Sequence, residues 1–258
     1  MPPAFTRYVA LGDSTTEGLD DPYPDGTPRG WADRLAERLG AIEPAFGYAN
    51  LAIRGRKIPQ IRAEQLDPAL ALRPDLASVV GGLNDILRRS VDLDRVSGDI
   101  EAMVVALCDQ GASVILMTYP DPTAVISIAG DRVRRRVAAF NERLRRIAAE
   151  HGAVLVDIDR DVIAHPALWS PDRLHANSLG HDRLALAAAR ALGLPPEPDP
   201  DPLPDLVPRA RHMQLAVDAA WAGRHLAPWV VRRLRGRSSG DGREPKRPEL
   251  APAGRPDA

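Results

Sequence analysis

Residues 8–18 read Tyr8-Val9-Ala10-Leu11-Gly12-Asp13-Ser14-Thr15-Thr16-Glu17-Gly18, and the fold follows from how this stretch is built. Four apolar residues without polar alternation suit a strand covered on both faces. The small and polar residues behind them suit a turn. The same unit recurs, with short apolar runs at Tyr48–Leu51, Leu76–Val80, Val114–Thr118 and Val154–Asp157. Between the runs lie helical stretches, about Trp31–Leu39, Ile58–Leu72, Leu93–Gln110, Arg132–His151 and Ser178–Leu192. In Arg132–His151, residues Val133, Val137, Phe140, Leu144 and Ile147 fall on one stripe with arginines elsewhere. The Arg132–Arg136 cluster therefore reads as a solvated helix face rather than a binding patch. Strand–helix alternation implies an α/β fold: a parallel sheet, helices on both faces, right-handed crossovers. In such a fold chemistry gathers at the carboxyl ends of the strands.

The 258 residues are 44% hydrophobic and 27% charged, enough to bury a core and too apolar for a wholly disordered chain. No apolar run approaches the roughly 18 residues that span a membrane. Met1 to Ser14 lacks the charged region and long apolar segment of a secretory signal, so a cytoplasmic protein is expected. Cys108 alone makes neither an internal disulfide nor a cysteine cage, and its neighbours Ala102–Leu107 give it a packing role. The net charge of −1 argues against general nucleic-acid binding. Of 34 basic residues only Lys57 and Lys246 are lysines, which points to coding bias more than to function.

The chain divides near residue 195. Residues 1–194 carry the α/β pattern. Residues 195–208 hold Pro195, Pro196, Pro198, Pro200, Pro202, Pro204 and Pro208 among acids, a stiff, polyproline-like linker. Residues 205–258 carry eleven basic against six acidic side chains, reversing the sign of the rest. In the segment 209–235, Met213, Val217, Ala220 and Trp221 recur at helical spacing. Pro228 interrupts it, and Trp229, Val230 and Leu234 form a second apolar patch. Residues 236–258, rich in Gly, Pro, Ser and Arg, read as a disordered tail.

Four strand ends carry the reactive side chains. Ser14 projects from the turn after the first strand, where a fixed serine becomes a nucleophile if a base takes its proton. Asn50 to Gly55 ends the second strand in a glycine, whose backbone N–H can approach a ligand closely. Gly81-Gly82-Leu83-Asn84-Asp85 puts a side-chain amide at the third. Asp172-Arg173-Leu174-His175 precedes the last helix, and His175 alone of six histidines has an Asp three residues earlier. That spacing lets a carboxylate hold one imidazole nitrogen while the other faces outward.

This combination resembles the SGNH, or GDSL, hydrolase superfamily of lipase- and esterase-like serine hydrolases. The four blocks of that family carry Ser, Gly, Asn and His, matched here by Ser14, Gly55, Asn84 and His175 over about residues 7–193. Thr15 replaces the Leu of the GDSL tetrapeptide, a common departure. The resemblance implies a flavodoxin-like three-layer α/β/α sandwich with a five-stranded parallel sheet in residues 1–194. It also implies a cofactor-free ester hydrolase acting on a small-molecule ester. Ser14 would attack the carbonyl, His175 would carry the proton and Asp172 would orient His175. The N–H groups of Ser14 and Gly55 and the Asn84 amide would form the oxyanion hole. Related enzymes act on short-chain esters, acetylated carbohydrates, lysophospholipids and thioesters; short acyl or acetyl esters are expected here. Asp13 is expected to brace its turn and Asp85 its own loop. Leu19–Arg29 and Tyr119–Asp131 are expected to rim the site.

Other patterns compete less well. Gly236 to Gly240 matches the G-x-S-x-G elbow, but neither a strand precedes it nor a helix follows. Asp157, Asp159 and Asp161 resemble a calcium loop without its glycine or closing acid. The histidines His151, His165, His181, His212 and His225 lack ligand spacing, so no metal site is expected, and His181 reads as a helix-surface residue. Two non-enzymatic readings stand beside the hydrolase: a flavodoxin-like binding module, and a membrane-surface protein using the basic helix around Trp221 and Trp229. A helix docked on the α/β domain or over the site mouth is the simpler expectation for that segment.

Overall fold

The computed structural model describes residues 5–121, 130–160, 164–206, 210–228, 231 and 238–253. Strand β1 (Arg7–Gly12) leads into a one-turn helix α1 (Ser14–Glu17) and then α2 (Gly30–Ile42). After β2 (Gly47–Asn50) come α3 (Ile58–Ala71) and β3 (Leu76–Val80). The short α4 (Leu83–Ile86) and the long α5 (Leu93–Asp109) precede β4 (Ser113–Met117). Helix α6 (Gly130–His151), β5 (Val154–Val156) and α7 (Ser178–Ala191) complete the expected alternation. The boundaries differ from the sequence expectation by a residue or two at most ends.

The strand order is β5-β4-β3-β1-β2, extended by a sixth strand. The first five pair in parallel and are buried on both faces, which is why their sequences show no alternation. Tyr8, Trp31, Leu35, Tyr48 and Leu184 pack one face; Val9, Ile61, Ile100, Met103, Phe140 and Leu144 pack the other. The strand order reverses between β1 and β3, the place where a ligand crevice forms in such sheets.

One expectation is corrected beyond residue 195. The Pro-rich linker itself is pinned to the α/β domain. Arg38 Nε donates to Glu197 at 2.6 Å and Arg190 Nη2 to Asp199 at 2.6 Å, so its acidic residues are matched by arginines of α2 and α7. After α8 (Arg211–Trp221) the chain returns, and Arg247–Pro252, placed in a disordered tail from composition, forms strand β6. It pairs antiparallel with β2, Gly47 opposite Pro252 and Asn50 opposite Arg247, covering an otherwise open sheet edge. Lys246, just before it, is the reason the segment is anchored. Its ammonium reaches Asp33 at 2.8 Å and donates to the carbonyls of Pro28 and Arg29 at 3.1 and 2.7 Å. The sheet therefore has six strands rather than five. Trp229, Val230 and Leu234 lie outside the described residues. Among the described residues no helix is long and apolar enough to cross a membrane.

Candidate active site

Ser14, at the carboxyl end of β1, meets the D-x-x-H segment that precedes α7. Its hydroxyl lies 2.9 Å from His175 Nε2, and His175 Nδ1 lies 2.6 Å from Asp172 Oδ2. A carboxylate only accepts, so Nδ1 carries the proton and Nε2 presents a lone pair to the Ser14 hydroxyl. Asp172 Oδ1 accepts the backbone N–H groups of Leu174 and His175 at 2.9 and 3.0 Å. Burial would raise the Asp172 pKa, but the bonds to His175 and to these two N–H groups outweigh it and hold the carboxyl below its ordinary value. For His175 burial pulls downward, and the hydrogen bond and charge of Asp172, helped by Asp20 and Asp13, leave its pKa raised.

The glycines and amides around Ser14 are set by close approach. A Cβ at Gly12 would stand 2.3 Å from the Val80 carbonyl, so only glycine lets β1 and β3 meet there. Gln65 reaches from α3 to take the Gly12 N–H at 2.8 Å and donate to its carbonyl at 3.0 Å. Asp13 caps α1 through Thr15 N–H at 3.2 Å and accepts from Asn84 Nδ2 at 3.1 Å. Burial raises the Asp13 carboxyl to about 6 against these bonds. The second amide bond of Asn84 goes to the Arg56 carbonyl at 3.2 Å. Gly55 has a φ of 78°, a left-handed conformation that suits glycine. A Cβ there would lie 2.2 Å from Ser238 Oγ.

The returning tail thus reaches the site mouth, while the four blocks all lie before residue 195. A cavity of about 360 Å³ opens over Ser14, lined by Gly55, Asn84, Asp172 and His175 and also by Arg224, His225, Pro228 and Ser239. A wider groove of about 1000 Å³ runs on past Asp20, Arg54, Pro22 and Pro28. Part of the expected Leu19–Arg29 rim is therefore in place, whereas residues 122–129 of the second rim loop lie outside the described residues. A further hollow of about 880 Å³ beside α7 and the linker contains none of the four block residues.

Several side chains differ from the sequence reading. His181 is 1% exposed, not a surface residue. Its Nδ1 accepts the Trp31 N–H at 3.1 Å and its Nε2 donates to the Leu19 carbonyl at 2.9 Å. Both bonds need the neutral ring, and burial brings its pKa down to about 4. It buttresses the Leu19 loop, a role for which its position early in a helix carries no signal. Asp85 caps α3 by accepting the Ile58 N–H at 3.0 Å. Asp20, with φ 65°, stands 4.0 Å from His175 Nδ1. Asp20, Asp172 and His175 have the donor types of a cation site, but His175 and Asp172 already satisfy each other. Asp157 and Asp159 are bound by Arg145 at 2.7 and 2.8 Å, so they form a surface ion-pair group. Ser238 and Ser239 of the G-x-S-x-G match belong to a turn against the Gly55 loop.

A three-layer α/β sandwich with a serine, a glycine turn, an amide and an Asp–His pair converging at the sheet's reversal point is the architecture of one class of esterases. The model of the GDSL-like Lipase/Acylhydrolase family matches residues 10–183: the chain belongs to this family and is an ester hydrolase. Among characterised relatives, an acetylxylan esterase from Geobacillus stearothermophilus is 26% identical over 208 residues, 72% of this chain and 94% of that protein. An alpha/beta hydrolase from the metagenome of Lake Arreo, Spain, superposes with a TM-score of 0.62 at 25% identity, over 73% of this chain and 95% of its own. A structure of the Geobacillus esterase carrying a catalytic histidine substitution superposes at 0.63 with 23% identity, over 74% and 95%. Other catalytic mutants of that esterase replace a serine and an aspartate.

Proposed function

We propose that Ser14, His175 and Asp172 act as a catalytic triad that hydrolyses short-chain carboxylic esters, acetyl esters above all. The observation that carries this reading is the unbroken hydrogen-bonded relay from Asp172 through His175 to Ser14 at the floor of an open cavity. Ser14 Oγ adds to the ester carbonyl as its proton passes to His175 Nε2, and Asp172 stabilises the imidazolium that forms. The oxyanion is received by the N–H groups of Ser14 and Gly55 and by Asn84, which exchanges its 3.2 Å bond to the Arg56 carbonyl for the stronger charged acceptor. The tetrahedral adduct collapses as His175 returns the proton to the departing alkoxide. Water then repeats the sequence on the acyl-enzyme and frees the acid and Ser14.

The acetyl preference rests on the acetylxylan esterase relative. Ser14→Ala is expected to lower kcat on a chromogenic acetate ester by about 10⁴–10⁶-fold with the fold unchanged. Comparing acetate, butyrate and octanoate esters with an acetylated xylooligosaccharide tests the substrate class. Undiminished turnover in folded Ser14→Ala protein would sink the triad, and a preference for octanoate would sink the short-chain reading.

A further inference from the structure

The segment that carries Asp172 and His175 is held from outside by α8. Arg173 stands between them with φ 58°, a conformation that a side chain larger than glycine keeps only where its surroundings hold it. Its guanidinium leaves the loop, lies 5.2 Å from the Trp221 ring centroid and donates through Nη1 to Asp218 Oδ1 at 2.6 Å. The Trp221 indole N–H donates to the Asp172 carbonyl at 3.1 Å. Gln214 Nε2 donates to the same Asp218 oxygen at 2.9 Å. The Arg173 and Asp218 side chains are only 16% and 8% exposed, so this ion pair is little screened by solvent.

The face that α8 turns inward is unexpected. Gln214, Asp218 and Trp221 recur at four and three residues and lie on one side. Met213, Leu215 and Val217 remain 55%, 62% and 38% exposed. A helix that merely covered apolar surface would bury Met213 and Val217, which stand one turn apart, along with Trp221. This one instead spends its buried face on two consecutive residues of the reactive segment. Neither Asp218 nor Trp221 lines the cavity above Ser14, so neither touches a substrate bound there.

Resting on the triad reading, we propose that α8 is a positioning helix. Asp218 and Trp221, acting through Arg173 and the Asp172 carbonyl, hold the Asp172–His175 segment where the imidazole meets Ser14. Turnover is thereby coupled to a segment that lies beyond the family-matched residues 10–183. Loss of the Asp218 and Trp221 contacts would lower kcat while leaving Ser14 in place.

Two full-length variants test this. Trp221→Phe keeps a ring under Arg173 and removes only the indole donor; Asp218→Asn keeps the shape and removes the charge. Each is expected to lower kcat on a soluble acetate ester about ten- to hundred-fold, with KM changed less than about twofold. The double variant should lose less than the product, because both act through one loop. The acid limb of kcat should also move to lower pH, since a displaced Asp172 supports the imidazolium less. The other groups facing His175 stay: Asp13, Asp20 and His181, with Arg54, Arg224 and His225 on the cavity walls. Asp218→Glu should restore activity that Asp218→Ala loses. A purely structural helix would lower the melting temperature but leave the folded enzyme's kcat and acid limb as in the parent, and that result would overturn the proposal. Retained activity in Ser14→Ala would instead overturn the triad reading on which it rests.

Discussion

Asp172 serves the site with three acceptors at once: one carboxylate oxygen on the His175 ring, the other on two backbone N–H groups, and its carbonyl on Trp221. The carboxylate is locked to its own segment, so the imidazole cannot rotate without breaking several bonds together. The electrostatic consequence is measurable. In the proposed triad His175 must be neutral to take the proton, and against the downward pull of burial Asp172, with Asp20 and Asp13, holds its pKa above the ordinary 6.5, so activity should rise with pH through a limb centred above 6.5. Asp20 contributes to that rise by charge alone, standing 4.0 Å from Nδ1. In Asp20→Asn the limb is expected to shift toward lower pH, read from kcat/KM between pH 5 and 9 in steps of about half a unit. A parent limb at or below 6.5 would contradict the assigned balance. That Ser14, Gly55, Asn84, Asp172 and His175 would line one cavity was legible because each sits in a short block of small and polar residues that interrupts the apolar pattern. Gln65, Asp20 and His181 were not, since a glutamine inside α3 or a histidine early in α7 looks the same whether it faces water or braces a loop.

Among the elements, β6 departs most from the sequence reading. Its six residues include two prolines, and only two of the six are even half-buried, so neither alternation nor an apolar run announces it. The pairing is instead set by what lies beside it. Asp33, 2% exposed, accepts the Tyr48 hydroxyl at 2.7 Å and the Tyr23 hydroxyl at 3.2 Å, and Lys246 supplies its counter-charge at 2.8 Å. Arg247 then lies 5.5 Å from the Tyr48 ring centroid. Removing one partner of a buried ion pair leaves an uncompensated charge. Lys246→Met is therefore expected to cost about 3–5 kcal/mol in urea unfolding. The double variant with Asp33→Asn should recover part of that loss. A change below about 1 kcal/mol would show the anchor to be dispensable.

At the scale of the whole molecule, the chain crosses from the β5 edge along α7, lays α8 on the Asp172 segment, and returns to the opposite edge beside β2. A chain ending at Leu206 would keep all four blocks. It would lose β6, Lys246, the α8 contacts and the Arg224, His225, Pro228 and Ser239 wall of the cavity. Such a chain is expected to show a lower melting temperature and poorer solubility, with ester turnover at least about tenfold down. Unchanged melting and turnover would mean that the tail is an addition to a finished enzyme. By itself, the sequence determined the five parallel strands, the helices between them and the short blocks that hold Ser14, Gly55, Asn84, Asp172 and His175. Those features depend on local periodicity and on side-chain chemistry carried in short blocks, both visible along the chain. The sequence also announced a helix within 209–235, but tertiary structure alone decided the pairing of Arg247–Pro252 and the face that α8 turns inward. A strand joins a sheet because an edge there is open and a buried acid there lacks its cation. The inward face of α8 was likewise set by Arg173 and the Asp172 carbonyl, which take Asp218 and Trp221 while Met213 and Val217 stay exposed. Such pairings form between residues far apart in sequence, and no local pattern encodes them.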